Sequence, residues 1–136
     1  MGKRNKKEIF EGGIENLTPD QVIFCLGMYI KMVSNIEGFT LNTAKTISTF
    51  GLDDVIEIEI KNKSINYIYD KAFLFLKLID LKEKYHLDSI KKYINKDGLT
   101  AIKAGKEYFL KLEEYEKCQI LYEFENFFNF SLAVKS

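Results

Sequence analysis

LTPDQVIFCLGMYIKMVSNIEG, residues 17–38, holds the longest apolar run of the chain and carries its own start signals. Thr18 is placed to N-cap, Pro19 stands at the first helical position where its missing N–H costs nothing, and Gln21 completes a Thr-x-x-Gln capping box. A helix from about Pro19 to Asn35 follows. Within it, Val22 to Val33 has Lys31 as its sole charged residue and is apolar on nearly every side, whereas a surface helix would show one apolar stripe. The helix should therefore be central and buried. A run this short falls well below the roughly 20 residues that span a bilayer, so no membrane partner is expected.

Working outward, the 136 residues suit one domain, 17–136, preceded by a charged arm over 1–16 that Ile9, Phe10 and Ile14 would pin to the body. A chain of this length buries about two thirds of its unfolded surface without help from a metal or disulfide. The hydrophobic fraction of 46% separates it from disordered chains. With 19 Lys against one Arg, and no Trp, the composition looks like the imprint of an AT-rich coding sequence, so spacing is a better guide than residue type. Cys25 lies in the buried run and Cys118 on an expected C-terminal helix; two reduced, buried thiols fit a cytoplasmic protein. MGKRNKK is basic but lacks a following apolar region, so a secretory signal is not expected.

Past the central helix, Gly38 reads as a stop, and Leu41 to Phe50 reads as a shorter second helix. The apolar period then changes to two. In VIEIEI, residues 55–60, isoleucines alternate with Glu57 and Glu59; after KNKS, a second alternating run, INYIY, occupies 65–69. This pattern predicts a β-hairpin with one face on the helices. Asp70 would cap a mostly buried helix to about Tyr85. Residues 87–98 suit either a short helix capped by Asp88 or a second hairpin turning at Asp97-Gly98, and Thr100 to Phe128 reads as one long helix. The expected fold is a compact, mainly helical α+β domain of about five helices with one hairpin, a second near 89–102 remaining open.

Charge is zero overall but uneven: residues 60–106 carry eleven Lys against five acids, and residues 8–59 carry two Lys against nine acids. Such asymmetry fits a nucleic-acid or acidic-partner surface, although folding can interleave the segments. SIKKYINKDGLTAIKAGKEYF, residues 89–109, resembles the wing and following helix of winged helix-turn-helix regulators. That resemblance implies a DNA-binding transcriptional regulator in which Lys82, Lys84, Lys91, Lys92, Lys96, Lys103 and Lys106 neutralise phosphates. Its recognition helix would fall at Ala72 to Leu81, which is too apolar to lie in a groove.

Catalytic signals are sparse. Asp53 and Asp54 followed by Glu59-Ile60-Lys61 approximate the acid and Glu-x-Lys pattern of metal-dependent nucleases, but the acids stand too close to the Glu for a separate strand, and a hairpin's wet face explains the same letters. His86, the sole histidine, follows no nucleophile phrase and is expected as a solvated or capping imidazole. One His and two distant Cys assemble no metal site, and no phosphate loop is present, so no cofactor is expected. CQILYEFENFFNFSL places Tyr122, Phe124, Phe127, Phe128 and Phe130 on more than one helix face, so some rings should be free to anchor a partner or a second copy. By elimination, the expectation is a non-enzymatic, cytoplasmic protein-binding regulator or inhibitor of the kind phages and mobile elements encode. The winged-helix regulator is the alternative.

Overall fold

The computed structural model describes residues 17–51 and 54–135. The expected arm over 1–16 lies outside them, as does Asp53. The described chain forms six α-helices: α1 (Pro19–Ser34), α2 (Ile36–Thr49), α3 (Asp54–Lys77), α4 (Lys84–Ile90), α5 (Lys96–Lys111) and α6 (Tyr115–Lys135), with a 3-10 turn at Lys91–Tyr93 between α4 and α5.

α1 is the helix the sequence announces. The Thr18 hydroxyl accepts from the Gln21 N–H at 3.2 Å, and the Thr18 N–H donates to Gln21 Oε1 at 2.9 Å, closing the capping box. Val22, Cys25, Leu26, Tyr29 and Val33 are buried along it, and α3, α4 and α5 pack around it. Ala72, Phe73, Phe75 and Leu76 of α3 supply the second wall, Ile90 and Ile94 the floor, and Ile102, Phe109, Leu121, Phe124 and Phe128 the third side. Gly38 does not stop the helix. The chain kinks by 47° at Asn35, whose side-chain amide donates to the Lys31 carbonyl at 2.8 Å, and continues as α2 with Gly38 on its exposed face.

No strand occurs among the described residues, so the α+β expectation and its hairpin are corrected. Residues 55–60 and 65–69 both lie on α3, with KNKS continuing the helix between them. KNKS contains neither Gly nor Pro to reverse the chain. Two i,i+4 pairs of the favourable orientation, Glu57 with Lys61 at 3.9 Å and Glu59 with Lys63 at 3.0 Å, support the helix instead. The second hairpin is also absent: Asp88 lies inside α4, whose N-cap is Glu83, and Asn95 caps α5, its side chain accepting from the Gly98 N–H at 2.8 Å, so Asp97-Gly98 lies in the first turn of α5.

Two expected helices are broken where polar groups capture the backbone. After α3, the Asp80 N–H donates to His86 Nδ1 at 2.9 Å, and Asp80 Oδ1 accepts from the Lys82 N–H at 2.9 Å, turning the chain into α4. Between α5 and α6, Glu113 takes a left-handed conformation (φ 59°), with its N–H donating to Leu110 and the Glu114 N–H donating to Phe109. That is a Schellman closure with Glu in the place Gly usually takes. α5 and α6 then fold back as an antiparallel pair, the most extensive helix contact of the molecule.

α5 approaches its neighbours closely because glycine permits it. A Cβ on Gly105 would stand 2.1 Å from the Tyr29 hydroxyl, which donates to the Ala101 carbonyl at 2.8 Å. A Cβ on Gly98 would stand 2.9 Å from the Phe128 ring. No single helix among the described residues is long and apolar enough to cross a membrane; α1 and α2 reach that length together only across their bend.

Candidate functional site

α2 is the element whose composition and burial disagree. Of its 14 residues, Glu37 and Lys45 alone are charged, yet Ile47 is its single buried residue. It leans on α3, and the main core contains no residue of α2 and nothing of α3 before Tyr69. The two helices thus form a hairpin standing beside the body. Gly51 (φ +68°) makes the left-handed turn that ends α2, donating its N–H to the Ser48 carbonyl at 3.1 Å.

Between the helices runs a groove of about 470 Å³ lined by Phe39, Asn42, Thr43, Thr46, Ile47, Phe50 and Ile60. Phe39 is 43% exposed, Phe50 75% and Ile60 36%, so the rims are apolar and open to water. The threonines do not make the floor polar. Thr43 donates its hydroxyl to the Phe39 carbonyl at 2.9 Å and Thr46 to the Asn42 carbonyl at 3.0 Å, so each donor is satisfied within the helix. Neither Glu37 nor Lys45 lines the groove. Such a surface offers shape and apolar area rather than reactive groups.

The C-terminal aromatics are divided by the fold. Phe124 and Phe128 are fully buried in the core, and Phe127 is half-buried against it. Tyr122 is half exposed, with Lys106 Nζ 5.7 Å from its ring centre, and Phe130 alone stands well clear of the body. These five rings do not form one patch.

Lys82, Lys84, Lys91, Lys92, Lys96 and Lys103 are exposed, spread over the turn before α4, α4 itself, the 3-10 turn and α5. Lys106 is half-buried and pairs with Glu125. The wing that the winged-helix resemblance requires is missing: residues 89–102 are the end of α4, the 3-10 turn and the start of α5. Lys135 Nζ closes that turn by donating to the Lys91 and Ile94 carbonyls, each at 3.1 Å.

Asp54, Glu59 and Lys61 lie on a helix rather than a strand, and Glu59 and Lys61 are paired along it with Lys63 and Glu57. Among the described residues no group of three His, Cys, Asp or Glu side chains is placed to hold a metal ion. His86 is fully buried rather than solvated, with Nδ1 engaged by Asp80 and Nε2 without a partner. Burial holds its pKa below the ordinary imidazole value, with Asp80 and Glu83 opposing. Cys25 is buried, its thiol pushed up to about 11 by desolvation, and Cys118 is half-buried. A second groove of about 590 Å³ runs along α1 past Ile23, Gly27 and Ile30 to Tyr93, with Lys31 and Asp97 on its walls.

Sequence reasoning missed the α2–α3 groove because the isoleucines of 56–60 were assigned to a strand. The available signal was the scarcity of charge between Ile36 and Phe50, too apolar for a helix with so little to pack against. Comparison with known proteins finds no matching family model, no matching curated protein and no matching solved structure.

Proposed function

We propose that this chain is a non-enzymatic regulator or inhibitor that works by binding protein, and that the α2–α3 groove is its contact surface. The observation that carries the reading is α2 itself, an almost uncharged helix that buries one residue while Phe39, Phe50 and Ile60 rim an apolar groove. Burying such rims in a partner removes apolar surface from water at about 25 cal/mol per Å². From Phe39 to Phe50 the groove runs three helical turns, about 16 Å at 1.5 Å per residue, enough to seat the apolar stripe of one helix. A membrane surface is the poorer occupant, since interfacial helices carry Lys and Arg along their polar face and α2 has one Lys. The reading places the protein in the cytoplasm, supported by two free cysteines.

A photo-crosslinking residue in place of Asn42, which is exposed and lines the groove, tests this in cells. Discrete protein adducts that vanish when Phe50→Glu is added are the expected result. Absence of adducts, or adducts indifferent to Phe50→Glu, would refute it.

A further inference from the structure

The groove-facing residues of α2 have an order that a general docking stripe does not need. Phe39, Thr43, Thr46 and Phe50 are spaced by four, three and four residues. At about 100° per residue they fall within about 60° of one another on the helix surface. Their sequence is the same in both directions. A two-fold rotation about a point between Ala44 and Lys45 exchanges Phe39 with Phe50, Thr43 with Thr46, and Asn42 with Ile47, all of them lining the groove.

We infer that the occupant of the groove is a second copy of this chain, its α2 antiparallel to the first across a two-fold axis at Ala44–Lys45. The inference rests on the protein-binding reading above and names the partner. An antiparallel pair about this two-fold is isologous, residue i of one copy meeting the residue that i meets in the other, and the palindrome makes each of those meetings like with like, Phe on Phe and Thr on Thr. In this pairing Phe39 of each copy packs beside Phe50 of the other. Thr43 meets Thr46 at the centre, where small side chains let the two backbones approach. Their hydroxyls, already donated to the Phe39 and Asn42 carbonyls, lose no partner when water leaves.

Charge permits the pairing. Glu37 and Lys45 lie more than about 100° from the stripe, so two copies bring no like charges face to face. Area limits its strength. With a ring exposing about 200 Å² in full, Phe39, Phe50 and Ile60 at 43%, 75% and 36% leave on the order of 300 Å² of apolar surface per copy. Two copies thus bury on the order of 600 Å² of apolar surface through these side chains, below the roughly 1,200–2,000 Å² of stable interfaces, so the dimer is a weak, concentration-dependent one.

Sedimentation equilibrium on the full chain between about 1 and 100 μM tests it. The expected result is a monomer–dimer equilibrium that Phe50→Glu and Thr46→Arg each weaken at least about tenfold. Phe130→Glu, at a site 71% exposed on α6, should leave it unchanged. Both interface positions are exposed, and circular dichroism checks that the variants remain helical. Register is tested in a Cys118→Ser background. A thiol cross-linker should join Thr43→Cys chains to Thr46→Cys chains when mixed, and do so faster than it joins either kind to itself, since like positions stand about 4.5 Å further along the helices. A monomer at all concentrations, a dimer indifferent to Phe50→Glu, or self-linking of Thr43→Cys chains alone would overturn the inference. If the chain is monomeric while position 42 still forms adducts with another protein, self-pairing fails and the protein-binding reading stands. If both fail, so does the function proposed for the groove.

Discussion

Replacing Gly105 by alanine adds one methyl group to α5 and sets two effects against each other. An alanine in a helix interior is ordinarily favoured over glycine by about 1 kcal/mol. Here its Cβ would lie 2.1 Å from the Tyr29 hydroxyl, so the ring must move and its 2.8 Å hydrogen bond to the Ala101 carbonyl is lost. Displacing side chains in a packed core costs about 1–3 kcal/mol. Stranding a buried hydroxyl costs a further 1–3 kcal/mol or so. The net expectation is a destabilisation of about 2–4 kcal/mol. Tyr29→Phe removes the offending oxygen, and the remaining contacts, Tyr29 Cζ and Leu121 Cδ1 at 3.4 Å, are ordinary. Gly105→Ala in a Tyr29→Phe background should then be neutral or stabilising by up to about 1 kcal/mol, giving a coupling energy of about 2–5 kcal/mol. Urea denaturation of the four proteins measures the cycle. An equal cost of Gly105→Ala in both backgrounds would refute the claim that the hydroxyl dictates glycine.

Two further outcomes are expected. Phe128→Ala should cost about 3–5 kcal/mol in urea unfolding, whereas Phe130→Asp, two residues along the same helix, should change stability by no more than about 0.5 kcal/mol; similar costs would contradict the division of the aromatic segment. The native His86 resists the proton that the unfolded chain accepts near its ordinary value, so the unfolded state binds more protons on acidification and stability declines as pH falls through about 6.5. The urea midpoint should drop between pH 7.5 and 5.5, above most carboxylate titration, and His86→Gln, which retains an acceptor for the Asp80 N–H, should flatten that drop; an unchanged slope would remove His86 as its cause.

What could be read from the sequence depended on how local each signal was. The start of α1 was legible because Thr18, Pro19 and Gln21 act within one turn, and its burial because almost no charge interrupts Val22 to Val33. Ala72, Phe73, Phe75 and Leu76 belong to the core by the share of the helix circumference they cover, and they lie there, whereas Leu74 between them is exposed. The alternation of 55–60 misled because period two usually means a strand with one wet face. On a helix it scatters isoleucines around the circumference, and Ile58 and Ile60 are indeed exposed. Lys61 and Lys63, each four residues after a Glu, were the helical signal in the same segment.

The ends of α3 and α5 were not legible, since neither carries Gly or Pro. One depends on a contact between Asp80 and His86, and the other on Glu113 accepting a left-handed backbone. Lys117 stands four residues after Glu113, but with the helix broken at Glu113 it bridges Glu114 at 3.1 Å and Asp70 at 3.5 Å instead. Of the aromatic anchor, Phe124 and Phe128 were misplaced for want of a period: with rings at 122, 124, 127, 128 and 130, every face of α6 looks apolar until α5 covers one of them.

α3 runs without a break from the groove to the core, Asp54 to Lys77. A rod of that kind transmits rotation. From Asp54 to Ala72 is about 27 Å at 1.5 Å per residue, so a tilt of about 5° about Ala72 moves the tip by roughly 2 Å. Conversely, whatever clamps the tip exerts leverage on Phe73 and Tyr69, and through them on Phe109 and Tyr108, whose rings they meet. Capture at the groove would thus be felt as torque between α3 and α5, a mechanical link from the projecting hairpin to the opposite side of the body.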